Sequence, residues 1–121
     1  MQYKERWIEK EEVKLALQNR LAGVRAHGEM TSYLRPSAAE VIRRQTMVRH
    51  SAVMLLLFPW KDTRATVLIA RPEYTGPHSG QVSLPGGKME PGDTDLMHTA
   101  LREMNEEIGI DPKGVEILGQ L

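Results

Sequence analysis

Apolar residues recur at helical spacing along the N-terminal segment. Trp7, Ile8, Val13, Leu15, Leu17, Leu21 and Val24 alternate with Lys, Glu, Arg and Gln, which predicts a helix from Met1 to about Met30. Gly23 and Gly28 bracket its expected end. Thr31 to Arg49 is transitional: after Pro36, Ser37-Ala-Ala-Glu40 fits a capping box, with Ser37 as N-cap, and predicts a short helix through about Arg44. The pattern then changes. Ser51 to Phe58 (SAVMLLLF) is a near-continuous apolar run of strand length, as expected for a strand buried on both faces. Pro59 to Arg64 reads as a turn and Ala65 to Arg71 as a second strand rich in β-branched residues, the two pairing as a hairpin with a longer loop. Pro72 to Pro85 is a long connection with little periodicity, and a loop of that length in a compact domain is more often functional than a simple connector.

The stretch from Gly86 to Ile110 carries the most specific pattern. It holds a glycine turn, an acidic loop and a short amphipathic helix ending at Gly109. Met97, Ala100, Leu101, Met104 and Ile108 form an apolar stripe at i, i+3, i+4 spacing. Gly109 suits a left-handed C-cap and Pro112 prevents continuation. Val115 to Leu121 reads as the start of another strand.

Composition narrows the class. A chain of 121 residues forms one domain at most, with a modest core; 40% hydrophobic and 26% charged residues are ordinary for a globular chain. The formal net charge is zero, so no broad field points to nucleic acid or to a membrane surface. There is no cysteine, which excludes disulfides, thiolate metal sites and a cysteine nucleophile, and a reducing cytoplasmic compartment is the default expectation. No signal peptide and no apolar run of membrane-spanning length is present. Arg43, Arg44, Arg49 and His50 make a small basic cluster that reads either as a solvated loop or as a contact for an anionic substrate.

The polar face of the Gly86–Ile110 helix changes the picture. At about 100° per residue, Glu103, Glu106 and Glu107 lie within roughly a third of a turn of one another. Like charges at this spacing repel, and Glu106 and Glu107 also sit where the helix dipole disfavours negative charge. A divalent cation would relieve the conflict, and all-oxygen ligation suits Mg²⁺ or Mn²⁺. Taken alone, the triplet reads first as a solvated acidic face, since charge runs are common on surfaces.

The stretch resembles the Nudix box, G-x5-E-x7-R-E-U-x-E-E-x-G-U with U aliphatic. Gly87 starts the pattern, and Arg102 to Ile110 (REMNEEIGI) meets every fixed position of its second half. Asp93 replaces the first Glu, and eight residues rather than seven separate it from Arg102. Upstream, HSGQVSLPGGK is similar to the extra signature of the coenzyme A diphosphatase branch. Arg71, Gly80, Pro85, Gly86 and Gly87 match in register, while Pro72, Gly76 and Leu84 depart from it. The departure at Gly76 removes an arginine, and with it a contact for a phosphate-rich substrate.

The resemblance implies a metal-dependent hydrolase that cleaves the pyrophosphate bond of a nucleoside diphosphate derivative, coenzyme A or a related nucleotide. Glu106 and Glu107 would be the principal Mg²⁺ or Mn²⁺ ligands, and Glu103 a further ligand or the base that orients the attacking water. Arg102 would hold a glutamate in its ligating rotamer. Gly86 and Gly87 would let the backbone approach the site, Gly87 offering it a backbone group. Arg71, His78 and Lys88 are the candidate substrate contacts, and Glu90 and Asp93 read either as water-mediated ligands or as a polar turn and a helix N-cap. The partner is then a small nucleotide, not a nucleic acid or a membrane. Two alternatives stay open: another substrate such as ADP-ribose, or a catalytically silent nucleotide-binding module. Few aromatic residues are available for base stacking; Tyr74 and Trp60 are nearest in sequence.

The implied architecture belongs to the α/β (α+β) class: a Nudix-like α/β/α sandwich around a mixed sheet, with an N-terminal helical extension at 1–45 and the Nudix domain at 46–121. The sheet and final helix of such a domain would be incomplete at the C-terminus, so the sequence reads as the N-terminal part of a longer protein. An incomplete sheet leaves an open edge and an uncovered face, and the expectation is a chain stable only by forming homo-oligomers or with its missing part present.

Overall fold

The computed structural model describes residues 8–19, 21–31, 38–44, 47–76 and 79–121. These fall into two compact units. One comprises Arg49–Glu116, and the other Ile8–Val48 together with Ile117–Leu121.

In the helical unit, the single N-terminal helix of the sequence reading is two helices, α1 (Lys10–Gln18) and α2 (Gly23–Met30). The break has a local cause. Asn19 leaves the helical region at φ −80°, ψ 164°, and its Nδ2 donates to the Leu15 carbonyl at 3.2 Å, satisfying an acceptor of the last turn. Gly23, expected near a helix end, instead begins α2 in the left-handed region at φ 46°. Thr31 closes α2 with its hydroxyl donating to the His27 carbonyl at 2.8 Å. A third helix, α3 (Ala38–Arg44), ends where the sequence predicts. The expected N-cap Ser37 and the residues 1–7 lie outside the described residues.

The second unit contains the strands β1 (Ser51–Val53), β2 (Phe58–Trp60), β3 (Thr63–Ala65), β4 (Ile69–Ala70), β5 (Val82–Ser83) and β6 (Gly86–Lys88), then helix α4 (Leu96–Ile108) and a 3₁₀ turn at Pro112–Gly114. Among the described residues they pair as three antiparallel ladders, β1 with β6, β2 with β3, and β4 with β5. The run from Ser51 to Phe58 is not buried on both faces. Ala52, Met54, Leu56 and Phe58 point inward, while Val53, Leu55 and Leu57 are 63%, 47% and 44% exposed. The period of two belongs to a half-covered strand, and its uniformly apolar composition concealed it. Hydrogen-bonded strand also ends early within this run, since β1 stops at Val53 and β2 resumes at Phe58.

A hairpin forms, but shifted and tighter: its ladder falls largely within the segment 59–64 expected to be the turn, and 65–71 is not one strand, since β3 ends at Ala65 and Ile69–Ala70 pairs with β5. Phe58 pairs with Ala65 and Trp60 with Thr63, leaving Lys61 and Asp62 as the turn. Lys61 takes φ 52°, the positive value that two-residue hairpin turns require. Pro59 lies within β2, tolerated because this ladder has only two strands. Val115 to Leu121 forms no strand: Val115 has extended dihedrals, but the segment makes no ladder with the described residues.

Helix α4 packs on β1 and β6 and closes the core of this unit. Met104 is fully buried and Ala100 nearly so. Burial of a side chain the size of Met104 contributes roughly 2 kcal/mol. Met97, placed in the apolar stripe by spacing, is 51% exposed, and Thr99 is buried in its stead. No helix among the described residues is long and apolar enough to cross a membrane.

Candidate active site on helix α4

The ends of α4 are fixed by capping, which sets the angular position of every side chain between them. Asp95, not Asp93, is the N-cap: its Oδ1 accepts from the His98 backbone N–H at 2.7 Å. At the other end Gly109 is left-handed, φ 72° and ψ 16°, and donates to the Asn105 carbonyl at 2.9 Å.

Strand β6 supplies the floor. Ala52 pairs with Gly87 and Val53 with Gly86, and the ladder is prolonged by Met54 N–H to the Pro85 carbonyl at 2.7 Å. A Cβ on Gly86 would run into the Ala52 carbonyl, and a Cβ on Gly87 into the Glu103 carboxylate. The paired glycines therefore let α4 and β1 approach from two sides. Gly87→Ala is expected to displace Glu103, cutting turnover about a hundredfold while leaving the far-ultraviolet circular dichroism unchanged. A fully active Gly87→Ala variant would show that Glu103 need not lie against this strand.

Arg102 is the hub. It is 18% exposed, and each of its five N–H groups is used. Nε and Nη2 grip Asp93 as a fork, both at 3.0 Å, and Nη2 also donates to the Lys88 carbonyl at 3.0 Å. Nη1 reaches Glu103 Oε1 and Glu106 Oε2, each at 3.1 Å. The repulsion expected on this face is thus relieved in part by the chain's own cation. Glu107 is held separately, its Oε2 accepting from the Gly86 N–H at 2.8 Å.

Asp93 is the residue whose importance the sequence understated. Its side chain is 1% exposed and accepts four hydrogen bonds: two from Arg102, one from the Thr99 hydroxyl at 2.9 Å and one from the Glu90 N–H at 2.9 Å. The Arg102 fork, then the Glu90 amide, hold its carboxyl well below the ordinary value of 3.8, against the opposing effect of burial. The same contact raises the Arg102 pKa further above its already high value. These bonds, three to Oδ2 and one to Oδ1, make Asp93 an anchor for Arg102. Thr99 was also missed. A detectable signal was present: a hydroxyl and a guanidinium three residues apart on one helix face, just after an acidic residue.

Glu103 Oε2, Glu106 Oε1 and Glu107 Oε1 make no hydrogen bond among the described residues. The three carboxylates do not converge on one point, and no group of three or more potential ligands is close enough to hold an ion among the described residues. As donors they fit a hard divalent cation: ionised oxygen ligands, each with one oxygen available, beside a glycine strand that admits close approach.

The candidate substrate contacts are less assembled. Lys88 contributes its carbonyl to Arg102, and its exposed ammonium makes no ion pair among the described residues. Arg71 is exposed, with its backbone N–H bonded to the Gln81 carbonyl at 2.9 Å. His78 lies outside the described residues. Trp60 packs edge-on against Phe58 at 6.4 Å. The basic cluster is divided between the two units, Arg43 and Arg44 in one, Arg49 and His50 in the other.

A floor of paired glycines under a helix whose arginine gathers glutamates is the arrangement that the box pattern demands. Comparison with known proteins agrees: the model of the NUDIX domain matches residues 48–121. The chain belongs to the Nudix family. It is 40% identical over 72 residues to an uncharacterized Nudix hydrolase, NudL, of Yersinia enterocolitica, covering 60% of this chain and 37% of that protein. It is 39% identical over 87 residues to the mitochondrial coenzyme A diphosphatase NUDT8 of Mus musculus, covering 72% of this chain and 36% of that protein. The NUDT8 of Homo sapiens is 42% identical over 76 residues, 63% of this chain and 28% of that protein. The chain spans about a third of the length of these curated relatives.

Proposed function

We propose that the chain carries the catalytic face of a pyrophosphohydrolase acting on a nucleoside diphosphate derivative, with coenzyme A as the first candidate. The observation that carries this reading is the contact of one Arg102 nitrogen with both Glu103 and Glu106, which sets two carboxylates side by side, Glu103 against Gly87. The substrate proposal draws support from the similarity to NUDT8 and from Arg71, Gly80 and Pro85–Gly87 upstream of the box.

Glu106 and Glu107 would hold Mg²⁺ or Mn²⁺, with Glu103 and the Gly87 backbone beside them. The ion would supply neutralisation of the pyrophosphate and polarisation of its oxygens. Glu103 Oε2 orients the attacking water and accepts its proton as the oxygen bonds to phosphorus and the bridging P–O bond breaks. Arg102 fixes the Glu103 and Glu106 rotamers from behind. Arg71, Lys88 and His78 would meet the anionic substrate. A cytoplasmic setting is part of the proposal, and so is the division into a helical extension at 1–45 and a Nudix domain at 46–121. The NUDT8 relatives are named mitochondrial.

The test is hydrolysis of coenzyme A, ADP-ribose and NADH in Mg²⁺ or Mn²⁺. Release of phosphoadenosine phosphate from coenzyme A is expected. Metal binding with every substrate left intact would favour a nucleotide-binding module. Self-association through the exposed Val53, Leu55 and Leu57 face belongs to the same proposal, since an open apolar strand face invites a second copy. Light scattering is expected to report a species larger than one chain; a cooperatively melting monomer would contradict this.

A further inference from the structure

Asp93 is shorter than a glutamate, yet its carboxylate meets both prongs of Arg102 at 3.0 Å. A short side chain in a turn needs a fixed point to be held there. The one other side chain that hydrogen-bonds Asp93, among the described residues, is Thr99, with Oγ1 at 2.9 Å from Oδ2. Thr99 is fully buried and lies one turn before Arg102 on α4. Its single hydroxyl proton has two acceptors in reach, Asp93 Oδ2 at 2.9 Å and the Asp95 carbonyl at 3.2 Å. The shorter, charge-assisted bond to the carboxylate is the stronger of the two.

We propose that Thr99 is a positioning residue for this site, acting through Asp93 on Arg102 and so on Glu103 and Glu106. The helix that carries the arginine also carries the hydroxyl that orients the arginine's partner. Asp93, Arg102, Glu103 and Glu106 are thereby tied to one rigid element, although Asp93 lies in the preceding turn. The functional half of this inference rests on the metal-binding reading above; the structural half does not.

Two variants separate the contributions. Thr99→Val removes the hydroxyl and keeps size and branching, whereas Thr99→Ser keeps the hydroxyl. The Arg102 Nε–H resonance reports the fork directly, being slow to exchange with water while Asp93 holds it. The parent and Thr99→Ser are expected to show a protected Arg102 Nε–H and the same Mn²⁺ midpoint. Thr99→Val is expected to lose the protection and to raise the Mn²⁺ midpoint about tenfold. A lower Tm in Thr99→Val with the resonance and the midpoint unchanged would mean a purely structural role and would overturn the proposal. Where Thr99→Val does not fold, Thr99→Ser decides: loss of protection despite the retained hydroxyl overturns it, and retention sustains it. Absence of Mn²⁺ binding by the parent would sink the metal-binding reading, while the Arg102 resonance would still decide the positioning.

Discussion

Glu106→Gln is expected to lower metal-dependent turnover on the order of a thousandfold, a size typical of removing one preorganised electrostatic group from a reacting centre. The substitution keeps the shape of the side chain and its ability to accept from Arg102 at 3.1 Å, so α4 should remain in place. What it removes is the negative charge. Glu106 is 56% exposed at its side chain, and it presents an ionised oxygen outward from a helix end whose dipole disfavours it. One of its oxygens pairs with Arg102, and the other, turned outward, has a use that stability does not explain. The fall should appear in kcat, with Tm unchanged or slightly lowered as the partly exposed pairing with Arg102 loses its charge. Unaltered turnover in Glu106→Gln would remove the enzymatic reading.

Arg102→Leu is expected to produce the largest loss of stability, a drop in Tm on the order of 10 °C at neutral pH. Its removal leaves Asp93 buried without its cation and strips Glu103 and Glu106 of a shared donor. The pH dependence identifies the cause. In the parent the Asp93 pKa is depressed, so its stabilising contribution is complete above the ordinary carboxylate value of 3.8 and is lost as pH falls below it. In Arg102→Leu the Glu90 amide and the Thr99 hydroxyl still lower the Asp93 pKa against burial, so the depression is smaller and the variant loses less than the parent in acid. The Tm gap between the two should therefore be widest near pH 7 and narrow only as pH falls below about 3.8. A gap independent of pH would show that the loss comes from packing, not from the Asp93 pairing.

How much of this was legible in the sequence depends on the range of the interaction. Helix α4 and its C-cap at Gly109 follow from spacing within one helix, and these were read correctly; the same spacing places Glu103 and Glu106 on one face, where Arg102 reaches both. A hairpin was expected in the right part of the chain but with other strand bounds and a longer loop. The Ser51–Phe58 segment was misread because hydrophobicity alone does not reveal which face is covered; Val53 and Leu57 differ from Met54 in neighbours, not in character. The break at Asn19 was missed because a single side chain, donating back to the Leu15 carbonyl, marks it. Asp93 was undervalued because its role depends on a turn that folds back on α4, bringing it within 3.0 Å of a residue nine positions later. The tail after Val115 carries strand propensity, and a strand needs a ladder partner that no pattern within the segment supplies.

The central claim is that the glutamate face of α4 holds a divalent cation, and the most direct measurement is a Mn²⁺ titration followed by the loss of the free-ion electron spin resonance signal. The parent should bind saturably, and Glu106→Gln and Glu107→Gln should each weaken binding by about tenfold or more while keeping the parental fold. Equal binding by the parent and both variants, or no binding by any of them, would contradict the account.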